Sequence, residues 1–177
     1  MTPIVRRSVA VLALGAALVT TGCGSTTADR AAVVDGTVIP ETELQAAMSE
    51  INGMDPALLQ DQLTPSGTLT ALVQAPVVLD YLAGKGVVVS DSVASREAAD
   101  RGVAEPSDGT LQVIKLASAI SAAQQSGQLT ESDGQALTEQ LRSQDVEVNP
   151  RYGTFDPDTA SIQLGQPSWV EAFDAGQ

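Results

Sequence analysis

Ala32-Val33-Val34-Asp35-Gly36-Thr37-Val38-Ile39-Pro40-Glu41, running on into Thr42-Glu43-Leu44-Gln45-Ala46-Ala47-Met48-Ser49-Glu50-Ile51, is the stretch whose reading decides the fold. β-Branched residues stand on both sides of Asp35-Gly36, the dipeptide best suited to the left-handed pair of a type I′ turn, so a tight hairpin is expected over 31–39. Pro40 ends it. Leu44, Ala47, Met48 and Ile51 then recur at i, i+3, i+4 and i+7, which predicts an amphipathic helix over 41–51.

Working outward toward the C-terminus, Asp55-Pro56 offers a helix start before Leu58, Leu59 and Leu63, and a short second helix is expected there. Thr64-Pro65-Ser66-Gly67 is another start signal, leading to Leu69, Leu72, Val73, Val77, Leu79 and Leu82, with Pro76 expected to kink or split the helix. Ser90 or Asp91 can cap a helix over 93–101. Ser107 or Asp108 can cap a longer one in which Val113, Leu116, Ala117 and Ile120 form a stripe, stopped by Gly127. Thr130 with Asp133 three residues on resembles a capping box before Leu137 and Leu141. Val146-Glu147-Val148 and 160–164 alternate like strands. The expected fold class is therefore mainly α with a small β element, α+β, and no internal repeat is visible.

Outward toward the N-terminus lies an address. Residues 1–22 carry Arg6 and Arg7, an apolar run over 9–19, then Thr20-Thr21-Gly22-Cys23. Eleven residues make a helix of about 16 Å, against a hydrocarbon core of ~30 Å, so the run is read as a cleaved export signal. Leu18-Val19-Thr20-Thr21-Gly22-Cys23 resembles a bacterial lipobox, with Thr20 where Leu or Val is commoner. That resemblance implies lipidation of Cys23 by a diacylglyceryl group bearing chains such as palmitate, and anchorage to the outer face of the cytoplasmic membrane, in the cell envelope. General secretion is the default route; Arg6-Arg7 leaves twin-arginine export open, although Ser8-Val9-Ala10 lacks the usual bulky apolar pair. The expected organisation is a signal peptide over 1–22, a polar tether over 23–30, a domain over 31–164 and a tail over 165–177.

Composition closes off most chemistry. The 177 residues include no histidine and one cysteine, so zinc sites with nitrogen or sulfur ligands, disulfide frameworks, Ser-His-Asp triads and Cys-His dyads cannot be assembled from this chain. No catalytic residue, cofactor or metal is expected. All 22 acidic residues follow Cys23, against seven basic ones, a net charge of −15 beyond that point. Nucleic-acid binding is excluded as an expectation, because such a surface repels a phosphate backbone. Asp156 and Asp158 are read as a turn rather than a calcium loop, and Glu139 and Glu171 as solvated faces rather than a glycosidase pair.

The hairpin running straight into a helix, together with Val148-Asn149-Pro150-Arg151-Tyr152-Gly153 after the helices, resembles the N-terminal domain of SurA-type chaperones over about 31–155. The resemblance implies a helical body closed by strands from its two ends, with the Val-Asn-Pro-Arg segment beside the opening hairpin. It also implies an apolar groove that holds unfolded or extended polypeptide. Relatives often add a parvulin-type prolyl isomerase domain; the 24 residues after Gly153 and the lack of histidine depart from that pattern, and no isomerase activity is expected. Leu44, Met48, Ile51, Tyr152, Trp169 and Phe173 are the candidate peptide-binding residues, although a helical stripe is first of all core. Arg151 is expected to pair with a local acid. Trp169, Val170 and Phe173 share one helical face in the tail, which is expected to dock on the body, even in the groove, or to meet a partner. The alternative function is a structural or interaction lipoprotein of the envelope that binds one specific partner.

Overall fold

The turn at Asp35-Gly36 has φ of +48° and +79°, the two left-handed residues that a primed two-residue hairpin demands. In the computed structural model, which describes residues 29–127 and 129–164, this turn joins β1 (Arg30–Val34) to β2 (Thr37–Pro40). Val34 stands opposite Thr37 and Val33 opposite Val38, with a bulge between Arg30 and Ala32. Pro40 caps α1 (Glu41–Asn52), whose first turn carries Glu41 and Glu43 at the positive end of the helix dipole. Leu44, Ala47 and Ile51 are buried along its inner face.

Four further helices follow: α2 (Pro65–Gly84), α3 (Asp91–Asp100), α4 (Asp108–Ser126) and α5 (Glu131–Arg142). α2, α4 and α5 start with the side-chain caps the sequence suggests, whereas at α3 Ser90 holds the N-cap position without a side-chain bond. Thr64 Oγ1 accepts from Gly67 N–H, Ser107 Oγ from Thr110 N–H, and Gly127 takes the left-handed C-terminal position at φ +63°. Thr130 and Asp133 close the full reciprocal capping box.

After α5 the chain returns to the hairpin. β3 (Val146–Val148) pairs antiparallel with the other edge of β1, giving the order β2-β1-β3. Asn149 secures the junction: its N–H donates to the Ala31 carbonyl at 2.9 Å and its Nδ2 to the Arg30 carbonyl at 3.0 Å. A single 3-10 turn (Pro150–Tyr152) leads into a second, two-stranded antiparallel sheet of β4 (Thr154–Asp156) and β5 (Ser161–Gln163). At Gly153 φ is +115°, and a Cβ there would collide with the Gln163 carbonyl, so this corner requires glycine.

Helix α2 is the axis. Its first half packs under the sheet with Leu44, Ile51, Leu69, Leu72 and Ile114, and its second half forms another apolar cluster with Val78, Leu82, Leu116, Ala119 and Leu141. Mainly helical, with small antiparallel sheets, is the architecture.

Two expectations are corrected. No helix forms over 55–63. The carbonyls of Pro56 and Ala57, which a helix would use internally, accept instead from the Arg101 guanidinium at 2.9 Å each. The Asn52 amide brackets the end of the loop, accepting from Leu63 N–H at 2.7 Å and donating to the Leu63 carbonyl at 2.9 Å. The segment is thus a pinned loop whose Leu58, Leu59 and Leu63 still pack on the core. Pro76 does not split α2, which runs through it. The Pro76 ring lies on the exposed side of the helix, and the carbonyl of Val73, three residues before it, accepts from Gln144 Nε2 at 3.3 Å. The strand expected over 160–164 forms as β5, Ser161–Gln163, paired with β4.

Candidate functional site

β2 lies at the outer edge of the three-stranded sheet, and beside it opens a groove of about 830 Å³. One wall is the hairpin, with Val38 and Ile39. The floor is α2, through Leu72, Pro76 and Val77, with Asp80 one turn on. The start of α4 closes one side with Asp108, Gly109 and Gln112; the end of α5 and the residues after it close the other with Gln140, Ser143 and Gln144.

Local sequence explains each wall. In a two-residue hairpin the residues flanking the turn, here Val34 and Thr37, form the closing hydrogen-bonded pair. The next residue, Val38, therefore turns its N–H and C=O away from β1. Among the described residues no strand covers that side, and Val38 is half exposed. Helix α1 fixes the start of α4: Glu50 Oε2 accepts from Ser107 N–H at 2.9 Å, and Glu43 Oε1 accepts from Gly109 N–H. Glycine at 109 allows this approach, since a Cβ would stand 3.1 Å from that of Ala47.

The groove has an apolar floor and a polar rim of one sign. Asp35, Glu43, Asp80 and Asp108 line it, and among the described residues no Lys or Arg does. Asp35 and Glu43 are engaged within the fold, Asp35 Oδ1 by Asp145 N–H at 2.9 Å and Glu43 by Gly109. Asp80 and Asp108 are exposed and make no ion pair among the described residues. Gln144 adds an acceptor: with Nε2 committed to Val73, its buried Oε1 has no donor among the described residues.

The residues proposed from sequence fall elsewhere. Leu44 and Ile51 are buried in the core, Met48 is half-buried on the same helix, and none of the three lines the groove. Tyr152 is buried at the foot of the sheet with the Arg151 guanidinium 5.9 Å from its ring centroid. Arg151 Nη1 bonds both carboxylate oxygens of Glu41, at 2.7 and 2.6 Å, so these two residues tie the closing segment to α1. Cys23, Trp169 and Phe173 lie outside the described residues.

Val38, Val77, Asp80, Gln112 and Gln140 were missed. The apolar residues of α2 are so evenly spread around the helix that periodicity cannot separate its core face from its groove face, and Val38 reads as interior until its strand is seen to have one neighbour. Asp156 builds a turn: its Oδ1 accepts from Asp158 N–H and its Oδ2 from Thr159 Oγ1, and the Asp158 amide foremost holds the carboxyl below its ordinary range. Among the described residues no three of His, Cys, Asp or Glu gather closely enough to hold a metal, and no helix is long and apolar enough to cross a membrane.

Comparison with protein-family profiles, with curated protein sequences and with solved structures finds no match.

Proposed function

We propose that this chain is an exported, lipid-anchored polypeptide-binding protein of the SurA N-terminal type. It holds unfolded or extended segments at the outer face of the cytoplasmic membrane and has no part in proline isomerisation. The observation that carries the reading is the groove of about 830 Å³ lying open along the unpaired edge of β2. An extended chain carries unpaired N–H and C=O groups and alternating side chains. An uncovered strand edge beside an apolar floor meets both needs at once, the backbone by strand addition and the side chains by burial at ~25 cal/mol per Å². The resemblance of the hairpin and closing segment to SurA-type domains, and of the run before Cys23 to a lipobox, supports this reading of family and address.

The test is suppression of aggregation. The full chain, added to several unrelated proteins diluted from denaturant, is expected to lower light scattering for all of them. Failure with every client, together with one stoichiometric partner crosslinked in the envelope, would replace this reading with the single-partner lipoprotein.

A further inference from the structure

We propose that the groove selects positively charged extended segments, which add as a strand to the free edge of β2. This rests on the polypeptide-binding reading and names its substrate class.

Charge is the first argument. Asp80 and Asp108 face the groove unpaired, and the basic residues that could neutralise them are committed elsewhere. Beyond Cys23 the chain has seven: Arg30, Lys85, Arg101, Lys115, Arg142 and Arg151 each pair with an acid away from the groove, and the seventh, Arg96, lies on α3 in a different hollow. Cationic charge for this rim must come from the occupant. The same reasoning disfavours the chain's own tail, where residues 165–177 include Glu171 and Asp174 and no Lys or Arg. A net charge of −15 from Cys23 onward extends the selection beyond the rim, since the field of the whole body steers cations in and anions away.

Backbone geometry is the second. Val38 presents its N–H and C=O on the uncovered side of β2, and no other backbone group among the described residues takes them. A strand laid there puts alternate side chains toward Leu72 and Val77. The preferred occupant therefore alternates apolar residues with Lys or Arg.

Fluorescence anisotropy with the full chain tests this using a short peptide alternating Val with Lys, and its counterparts with Gln or Glu in place of Lys. At about 50 mM salt the Lys peptide is expected to bind roughly tenfold more tightly than the Gln peptide, with the Glu peptide weakest. Near 500 mM salt the gap should close, because screening there acts over a few ångströms. In the Asp80→Asn, Asp108→Asn double variant the preference for Lys should fall below about threefold at low salt. Methylating alternate backbone nitrogens of the Lys peptide should weaken its binding by a similar factor.

Equal binding of the Lys and Gln peptides overturns the selection and leaves polypeptide binding standing. No binding of any peptide overturns both. An unaffected N-methylated peptide overturns the strand pairing. The comparison of peptides on the unaltered chain decides the matter even if the double variant fails to fold.

Discussion

Asp133 is the most heavily partnered carboxylate among the described residues. Its Oδ1 meets Lys85 Nζ at 2.6 Å and accepts from Tyr81 Oη at 2.7 Å; its Oδ2 accepts from Thr130 N–H at 2.8 Å and Thr130 Oγ1 at 2.7 Å. The start of α5 is thereby clamped to the end of α2. Lys85 first, then Thr130, hold the carboxyl far below its ordinary range, and Asp133 in turn raises the Lys85 ammonium. A depressed folded-state value means the charged form is the one the fold stabilises. That contribution is complete above the unfolded-state value, near pH 4, and is lost as pH falls through the folded one. Asp133→Asn should therefore lower the melting temperature at pH 7. The difference from the parent chain should narrow below about pH 4, as thermal melts across that range would show. A difference independent of pH would mean that the clamp acts through shape alone.

Among elements, the crossing of α1 with α4 is the one that frames the groove. Glu43 and Glu50, two turns apart on α1, receive the amide hydrogens of Gly109 and Ser107, so the first turn of α4 is capped from a neighbouring helix as well as by Ser107 itself. Its N-terminal amides are satisfied only while the helices stay in close contact, which Gly109 permits. Gly109→Val should force them apart and cost about 1–3 kcal/mol, seen as a lower urea midpoint at unchanged slope. The helix starts and stops at Thr64, Ser107, Gly127 and Thr130 were legible because a cap is a local exchange of hydrogen bonds among residues three or four apart. The loop over 55–63 was illegible for the opposite reason. Its carbonyls are taken by Arg101, more than forty residues away, and no local pattern announces a distant competitor for a backbone bond.

At the scale of the whole molecule, the proposal places an acidic body on a lipid anchor. Replacing Cys23 with Ser should move the protein from the membrane fraction to the soluble one and abolish the mass added by acyl chains, measured by fractionation and mass spectrometry. Because the body from Cys23 onward carries −15, it would stand off an anionic bilayer with the groove free to meet clients. Composition and pattern determined the acidic character, the lack of histidine, the hairpin, most of the caps and the mainly helical class, since each depends on residue type or near-neighbour spacing. Tertiary structure alone decided that the acid meeting Arg151 is Glu41 and that Val38, Val77 and Asp80 come together along an open edge. Those outcomes depend on which strand lacks a second neighbour and which side of a mostly apolar helix is covered, and such facts arise only when segments distant in the chain pack.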